Sequence, residues 1–425
     1  MKSGAALAQA LREAAPMVAR VAAGRSLADE FERVAEEGSE TPRAALIDLT
    51  HGTLRRYGRV QAIVRELSRR SRPDGLLEAL LWCSLYALES GRYADYTAVD
   101  QAVRACALLE RWSAKGYVNA LLRGFLRERG SLEARIGADT EARYQHPRWW
   151  IEVLRGAYLE RWEEILAAGN SHPPMCLRVN RRRARLADYQ ARLEAQSIAA
   201  RRVGEDALFL EHPLPVERVP GFAQGQVSVQ DAGAQRAARC LDLAQGHRVL
   251  DACAAPGGKT AHLLEIAEVA MTALEADPER CTRMARNLER LGLTALIKSA
   301  DCTRLADWWD GVPFDRILAD VPCSASGVAR RHPDLKWLRR PSDVPRFAVR
   351  QAAILDALWQ VLGTDGKLLY ATCSVFPQEN EELVAAFVAR APGACRLPLP
   401  DGGSAQWLPG AEHDGFYYAL IKKQA

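Results

Sequence analysis

Lysine is scarce in this chain: arginine supplies 49 of the 57 basic residues. The ten cysteines include no C-x-x-C pair, which argues against a zinc site and against a dithiol redox pair. The eight histidines are scattered without metal-ligand spacing, so no metal is expected. No apolar run approaches the roughly 18 residues of a membrane span. The opening M-K-S-G-A-A-L-A-Q-A-L-R-E briefly imitates a leader, but Arg12 and Glu13 end its apolar stretch, and an amphipathic first helix is expected instead. Low-complexity tracts, internal repeats and the dinucleotide pattern G-x-G-x-x-G are also missing. What remains is a globular, cytoplasmic chain with reduced and mostly buried cysteines, expected to be monomeric.

The 425 residues suffice for two or three domains. Net charge is only +4, so the total names no partner. The arginines are clustered, however. Leu54–Arg72 holds seven against one Glu, and Cys176–Val203 holds eight against one Asp and one Glu. Val328–Arg350 holds further arginines with His332 and Lys336. Guanidinium forks match phosphate geometry, so three such segments suggest a nucleic acid lying across several domains. Solvated helix faces in an arginine-biased proteome are the plainer reading.

Residues 1–140 carry apolar positions at three and four spacings, as in Leu76–Leu88, Ala98–Leu109 and Tyr117–Leu126, and read as all helix. Residues 141–229 read as a helical stretch rich in Trp149, Trp150 and Trp162, then a small α+β insert. In that insert M-C-L-R-V-N forms a strand, Leu186–Gln196 a helix, and short strands run to about Val229. Core packing is the preferred role for the tryptophans. Residues 230–425 alternate strand and helix, as a parallel sheet requires. Expected strands are Arg248–Ala252, Met271–Leu274, Leu296–Ser299, Arg316–Ala319, Lys367–Ala371 and Gly415–Lys422. Arg280–Leu291 and Phe347–Leu362 are the clearest helices.

The first of these strands runs into L-D-A-C-A-A-P-G-G-K-T, Leu250–Thr260. Gly257 and Gly258 let a backbone approach a ligand closely, and a helix N-terminus follows with free amide donors. A P-loop would need glycine where Cys253 stands, so phosphate cradling is excluded. A nucleoside-bearing cofactor such as S-adenosylmethionine remains. Its ribose would need an acid at the next strand end. Asp277 in D-P-E reads as a helix cap, which leaves Glu275 for the hydroxyls. Asp301, past the third strand, could accept from an adenine amino group or could simply shape a turn.

Cys323 lies in A-D-V-P-C-S and Cys373 in L-L-Y-A-T-C-S, each at a strand end. Carbon 5 of cytosine is a poor nucleophile. A thiolate added to carbon 6 makes carbon 5 able to take a methyl group, and the sulfur later leaves. Asp320 could hydrogen-bond ring nitrogen 3 and the exocyclic amine. A lone strand-end cysteine is usually an inert core residue. Chemistry alone does not choose which of these two attacks.

D-A-C-A-A-P-G-G-K-T, A-D-V-P-C-S-A-S-G and Y-A-T-C-S-V-F-P-Q-E-N-E resemble the RNA cytosine carbon-5 methyltransferases of the Sun/Nop2/RsmB superfamily. V-A-R-R-H-P-D-L-K-W-L-R-R, residues 328–340, resembles the RsmB (Sun/Fmu) group, and K-G-Y-V-N-A-L-L-R-G-F-L resembles its NusB-like RNA-binding domain. The resemblance implies an α/β Rossmann-like S-adenosylmethionine-dependent methyltransferase domain over 230–425. An all-α NusB-like domain would span 1–140, with a linker and a small α+β RNA-binding insert over 141–229. It further implies Cys373 as nucleophile and Cys323 in product release. The donor would contact Cys253, Ala254, Ala255, Pro256, Gly257, Gly258 and Lys259, with the acids Glu275, Asp301 and Asp320. Glu275 stands where this family often has Asp. The implied substrate is one unpaired cytosine of 16S ribosomal RNA, cytosine 967. A transfer-RNA substrate, a nucleophilic Cys323, and a non-catalytic RNA-binding assembly factor are the competing readings.

Overall fold

The computed structural model describes residues 3–69 and 72–425, and the chain divides into two compact units. The first comprises residues up to Ser171 together with Ala329–Arg340, and the second comprises His172–Val328 and Pro341–Ala425.

The first unit is helical throughout, from Ser3–Ala22 to Trp162–Asn170. Its central helix, Gly75–Glu89, is buried on nearly every side from Ala79 to Leu88 and therefore reads as a continuous apolar run. Asp74 caps it, accepting from the Leu77 amide. Trp150 is only 1% exposed, as core packing requires, whereas Trp149 and Trp162 are half-buried. Much of the first arginine cluster is engaged inside this unit. Arg56 and Arg59 pair with Glu89, Arg65 with Asp139, and Arg55 donates to the Arg330 carbonyl. Arg70 of that cluster, like Met1 and Lys2 of the opening segment, lies outside the described residues.

Residues 329–340 belong to the third basic cluster, yet they lock into this helical core. Lys336 is fully buried and donates to the Gln145 carbonyl and to Asn170 Oδ1 at 2.9 and 2.8 Å. Burial pushes its ammonium well below the ordinary lysine range. Asp334 accepts from the Leu27 amide, and the Trp337 indole donates to the Leu54 carbonyl.

In the second unit, four short strands form an antiparallel sheet of order β2-β3-β1-β4, with the helix Leu186–Ala195 alongside in sequence. They are β1 (Met175–Val179), β2 (Ala200–Arg202), β3 (Ala207–Leu210) and β4 (Val227–Val229). The large sheet follows: β5 (Arg248–Asp251), β6 (Ala270–Glu275), β7 (Leu296–Ser299), β8 (Phe314–Asp320), β9 (Leu362–Thr372), β10 (Ala394–Leu397), β11 (Gln406–Trp407) and β12 (Phe416–Lys423). Its order is β10-β12-β9-β8-β5-β6-β7, with β11 beside β12. The pairs from β9 to β7 are parallel, and β12 and β10 are antiparallel. Alternate residues feed two cores. Ile317, Leu368, Tyr370 and Tyr417 enter one, and Leu318, Leu369, Ala371 and Tyr418 the other. Burial on both faces explains why these strands appear as unbroken apolar runs.

The helix expected over 347–362 runs from Asp343 to Val361 instead. Pro345 falls in its first turn, where no backbone donor is needed, so it does not delay the helix. Leu362 already belongs to β9.

Candidate active site

Strand order reverses between β5 and β8, since β6 and β7 lie to one side of β5 and β8 and β9 to the other. Ligands in such sheets bind beyond the carboxyl ends at this reversal. A cavity of about 430 Å³ opens there, within the range of small-molecule sites. Each strand end contributes to its wall: Cys253 after β5, Glu275 ending β6, Asp301 after β7, Asp320 ending β8, and Cys323 and Cys373 beyond β8 and β9.

The two cysteines are brought together by register. Asp320 pairs with Ala371 across the parallel strands, and the Val321 amide donates to the Ala371 carbonyl. The loops beyond are then neighbours, and their sulfurs lie 3.4 Å apart. Cys323 is buried and Cys373 half-buried. The hydrogen bond shared with Cys373, reinforced by burial, holds the Cys323 thiol well above the ordinary cysteine range. Lys259 reaches Asp320 at 2.5 Å. Burial opposes the lysine's charge, but the Asp320 carboxylate outweighs it and the Lys259 pKa is raised.

Not every residue of the glycine turn faces the cavity. Cys253 and Ala255 line it, but Ala254 is buried, its amide donating to the Leu274 carbonyl, and Pro256, Gly257, Gly258 and Lys259 are not on its wall. Gly257 is demanded by the protein itself. Its φ is +90°, and a Cβ there would come within 2.7 Å of Met284 Cγ. Gly258 has room for a Cβ, with Gln230 at 3.6 Å, and its carbonyl accepts from Arg178 at 2.7 Å.

Asp277 is the helix cap that its D-P-E context suggests, accepting from the Glu279 and Arg280 amides. Glu275 lines the cavity and pairs with Arg280 at 3.1 Å. Asp301 shapes the turn and also stands on the cavity wall. It accepts from the Thr303 amide and hydroxyl, which hold its carboxyl below the ordinary range. Arg178, from the second arginine cluster, is not available to a nucleic acid: it is fully buried against Glu265.

Several wall residues escape sequence reasoning. Cys302, Arg280, Arg350 and Ile354 reach the cavity because the fold delivers them, and no motif marks them. Cys253 and Cys302 share a hydrogen bond that, with burial, pushes the Cys253 thiol up. Glu379 and Asn380 lie in the segment Y-A-T-C-S-V-F-P-Q-E-N-E, which carries the resemblance but gives them no role. Here Asn380 brackets Cys373: it accepts from Thr372 Oγ1 at 2.6 Å and donates to the Ser374 carbonyl at 2.9 Å.

The wall suits a nucleoside-bearing donor. Two acids at successive strand ends can accept from hydroxyl and amino groups, beside the apolar Ala252 and Ile354.

Comparison with known proteins agrees with this geometry. Residues 238–422 match the family described as 16S rRNA methyltransferase RsmB/F, residues 146–217 its ferredoxin-like domain, and residues 5–127 the NusB family. The ribosomal RNA small subunit methyltransferase B of Pseudomonas putida is 42% identical over 433 residues, covering 99% of this chain and 98% of that protein. Its counterpart in Vibrio cholerae is 42% identical over 409 residues, covering 94% of each. A methyltransferase homolog from Pyrococcus horikoshii superposes with a TM-score of 0.60 at 26% identity, over 67% of this chain and 98% of that one. The crystal structure of PH0851 shares the fold along 98% of this chain and 99% of its own, with a TM-score of 0.80 at 22% identity. With near-full-length relatives of this kind, the chain belongs to the RsmB family of ribosomal RNA small subunit methyltransferases.

Proposed function

We propose that this enzyme methylates carbon 5 of one cytosine in 16S ribosomal RNA, cytosine 967, through a transient bond between Cys373 and carbon 6. The observation that carries the reading is the pair of sulfurs 3.4 Å apart, whose residues line the strand-end cavity together with Asp320. S-adenosylmethionine, when bound by Cys253, Ala255, Glu275 and Asp301, supplies the methyl group. The half-buried Cys373 adds to carbon 6, which moves electron density onto carbon 5. Asp320, neutralised by Lys259, has an oxygen left to accept from the exocyclic amine of the base. Release re-forms the carbon 5–carbon 6 double bond as carbon 5 passes its proton to solvent water and the Cys373 sulfur departs as a thiolate. Cys323, held as a thiol, donates to that departing sulfur. Ribosomal RNA as substrate puts the work in the cytoplasm.

Denaturing electrophoresis of protein with ribosomal RNA and donor tests the roles. A covalent adduct should accumulate with Cys323→Ala and be absent with Cys373→Ala, and the reverse pattern overturns the assignment. Bisulfite sequencing of ribosomal RNA from a deletion strain tests the target. Cytosine 967 should lose its protection, and protection left unchanged there refutes that nucleotide.

A further inference from the structure

Below the two cysteines lies a buried carboxylate that the chemistry above does not use. Glu379 is fully buried. Its Oε1 accepts from the Ser324 amide at 2.8 Å and from Gln351 Nε2 at 3.1 Å. Its Oε2 accepts from the hydroxyls of Ser324 and Ser374, at 2.5 and 2.6 Å. Ser324 directly follows Cys323, and Ser374 directly follows Cys373. One carboxylate therefore ties together the residues behind both sulfurs.

The tie extends to the other side of each cysteine. Gln351 also donates to the Pro322 carbonyl at 2.9 Å, just before Cys323. Asn380, next to Glu379, holds Thr372 just before Cys373. Ser326 Oγ lies 3.1 and 3.0 Å from the Ser324 and Ser374 hydroxyls and accepts from the Val375 amide. Among the described residues, no lysine, arginine or histidine forms an ion pair with Glu379. A buried carboxylate without a counter-ion is costly unless several donors satisfy it, as four do here. Apolar side chains could fill the same space but could not fix two loops at once.

We propose that Glu379 is a positioning residue, whose carboxylate cross-ties the Cys323 and Cys373 loops and so sets the distance between their sulfurs. The idea rests on the catalytic reading of the two cysteines. Its negative charge adds, after the shared hydrogen bond and burial, to what keeps the Cys323 thiol protonated.

The test compares full-length wild type with Glu379→Gln. A glutamine keeps the volume but turns one acceptor oxygen into a donor, so whichever way the amide faces, either the two serine hydroxyls or the Ser324 amide and Gln351 lose their acceptor. Diamide closes nearby thiols into a disulfide, and peptide mass spectrometry reads the Cys323–Cys373 link without RNA or donor. The expected result is closure slowed by about 10-fold, and single-turnover methylation slowed by about 100-fold. The KM for RNA and the affinity for S-adenosylmethionine should stay within about threefold. Closure and methylation both within about threefold of wild type would overturn the proposal, as would donor affinity falling in step with the rate. Should Glu379→Gln fail to fold, Ser324→Ala and Ser374→Ala each remove one arm. Each must then slow closure by a measurable part of the full effect, and no effect from either overturns the tie. Should wild type leave RNA unmethylated, the catalytic reading fails, and the closure rates alone still decide the cross-tie.

Discussion

Cys323 Sγ and Cys373 Sγ lie 3.4 Å apart, yet the two thiols meet different surroundings. Cys323 is buried, and the hydrogen bond it shares with Cys373, together with burial, holds it in the thiol form. Cys373 is half-buried on the cavity wall. Alkylation requires both access and a thiolate. Iodoacetamide at neutral pH should therefore modify Cys373 first, with Cys323 lagging by about tenfold or more. Timed quenching and peptide mass spectrometry give both rates. Equal rates, or Cys323 leading, would contradict this asymmetry.

How far the sequence went depended on what each segment buries. The six expected strands of the large sheet all appear, and most of them are covered on both faces and so show as short apolar runs bounded by turns; the edge strand Leu296–Ser299 is largely open. The helical first segment is equally legible from its three and four spacings. Residues 329–340 were not. Arg330 and Lys336 lie inside the helical unit, and a buried cation looks like a surface one until its acceptors are known. The candidate site divides the same way. Both cysteines and the strand-end acids carry motifs, whereas Cys302, Arg350 and Ile354 become neighbours only through the crossover order of the sheet. The missing Cβ of Gly257 makes room for Met284, a demand of the fold that the glycine turn did not reveal in the sequence.

Asp251, the last residue of β5, is fully buried and accepts from Thr260 Oγ1 at 2.7 Å. Burial raises its carboxyl from 3.8 to about 7, with the hydrogen bond from Thr260 opposing and the nearby Asp320 adding to the rise. Folding thus favours the protonated form. This contribution to stability is fully present below the unfolded pKa and is lost as pH rises through about 7. Asp251→Asn removes the titration while keeping an oxygen for Thr260. Urea denaturation over this range should show wild type losing stability with pH, by on the order of a few kcal/mol more than the variant. Parallel curves would refute the assignment of this slope to Asp251.

Arg178 and Glu265 join the small antiparallel sheet to the helix that follows the glycine turn. Two hydrogen bonds of 2.8 Å link them, and both side chains are at most 1% exposed. Burial raises the Glu265 pKa, with Arg178 opposing, so the pair is not a free source of stability. Glu265→Ala would leave a guanidinium buried without its partner, at a cost of about 3–5 kcal/mol. Pairing Arg178→Met with Glu265→Leu removes both charges, and most of that stability should return. The turn is another matter. Arg178 also donates to the Gly258 carbonyl at 2.7 Å and to Gln230, which methionine cannot do. The doubly substituted protein should therefore regain its urea midpoint but bind S-adenosylmethionine several-fold more weakly in calorimetric titration. Wild-type donor affinity in that protein would mean that the turn holds its shape without Arg178. A midpoint that stays low would mean that the two charges do more than neutralise one another.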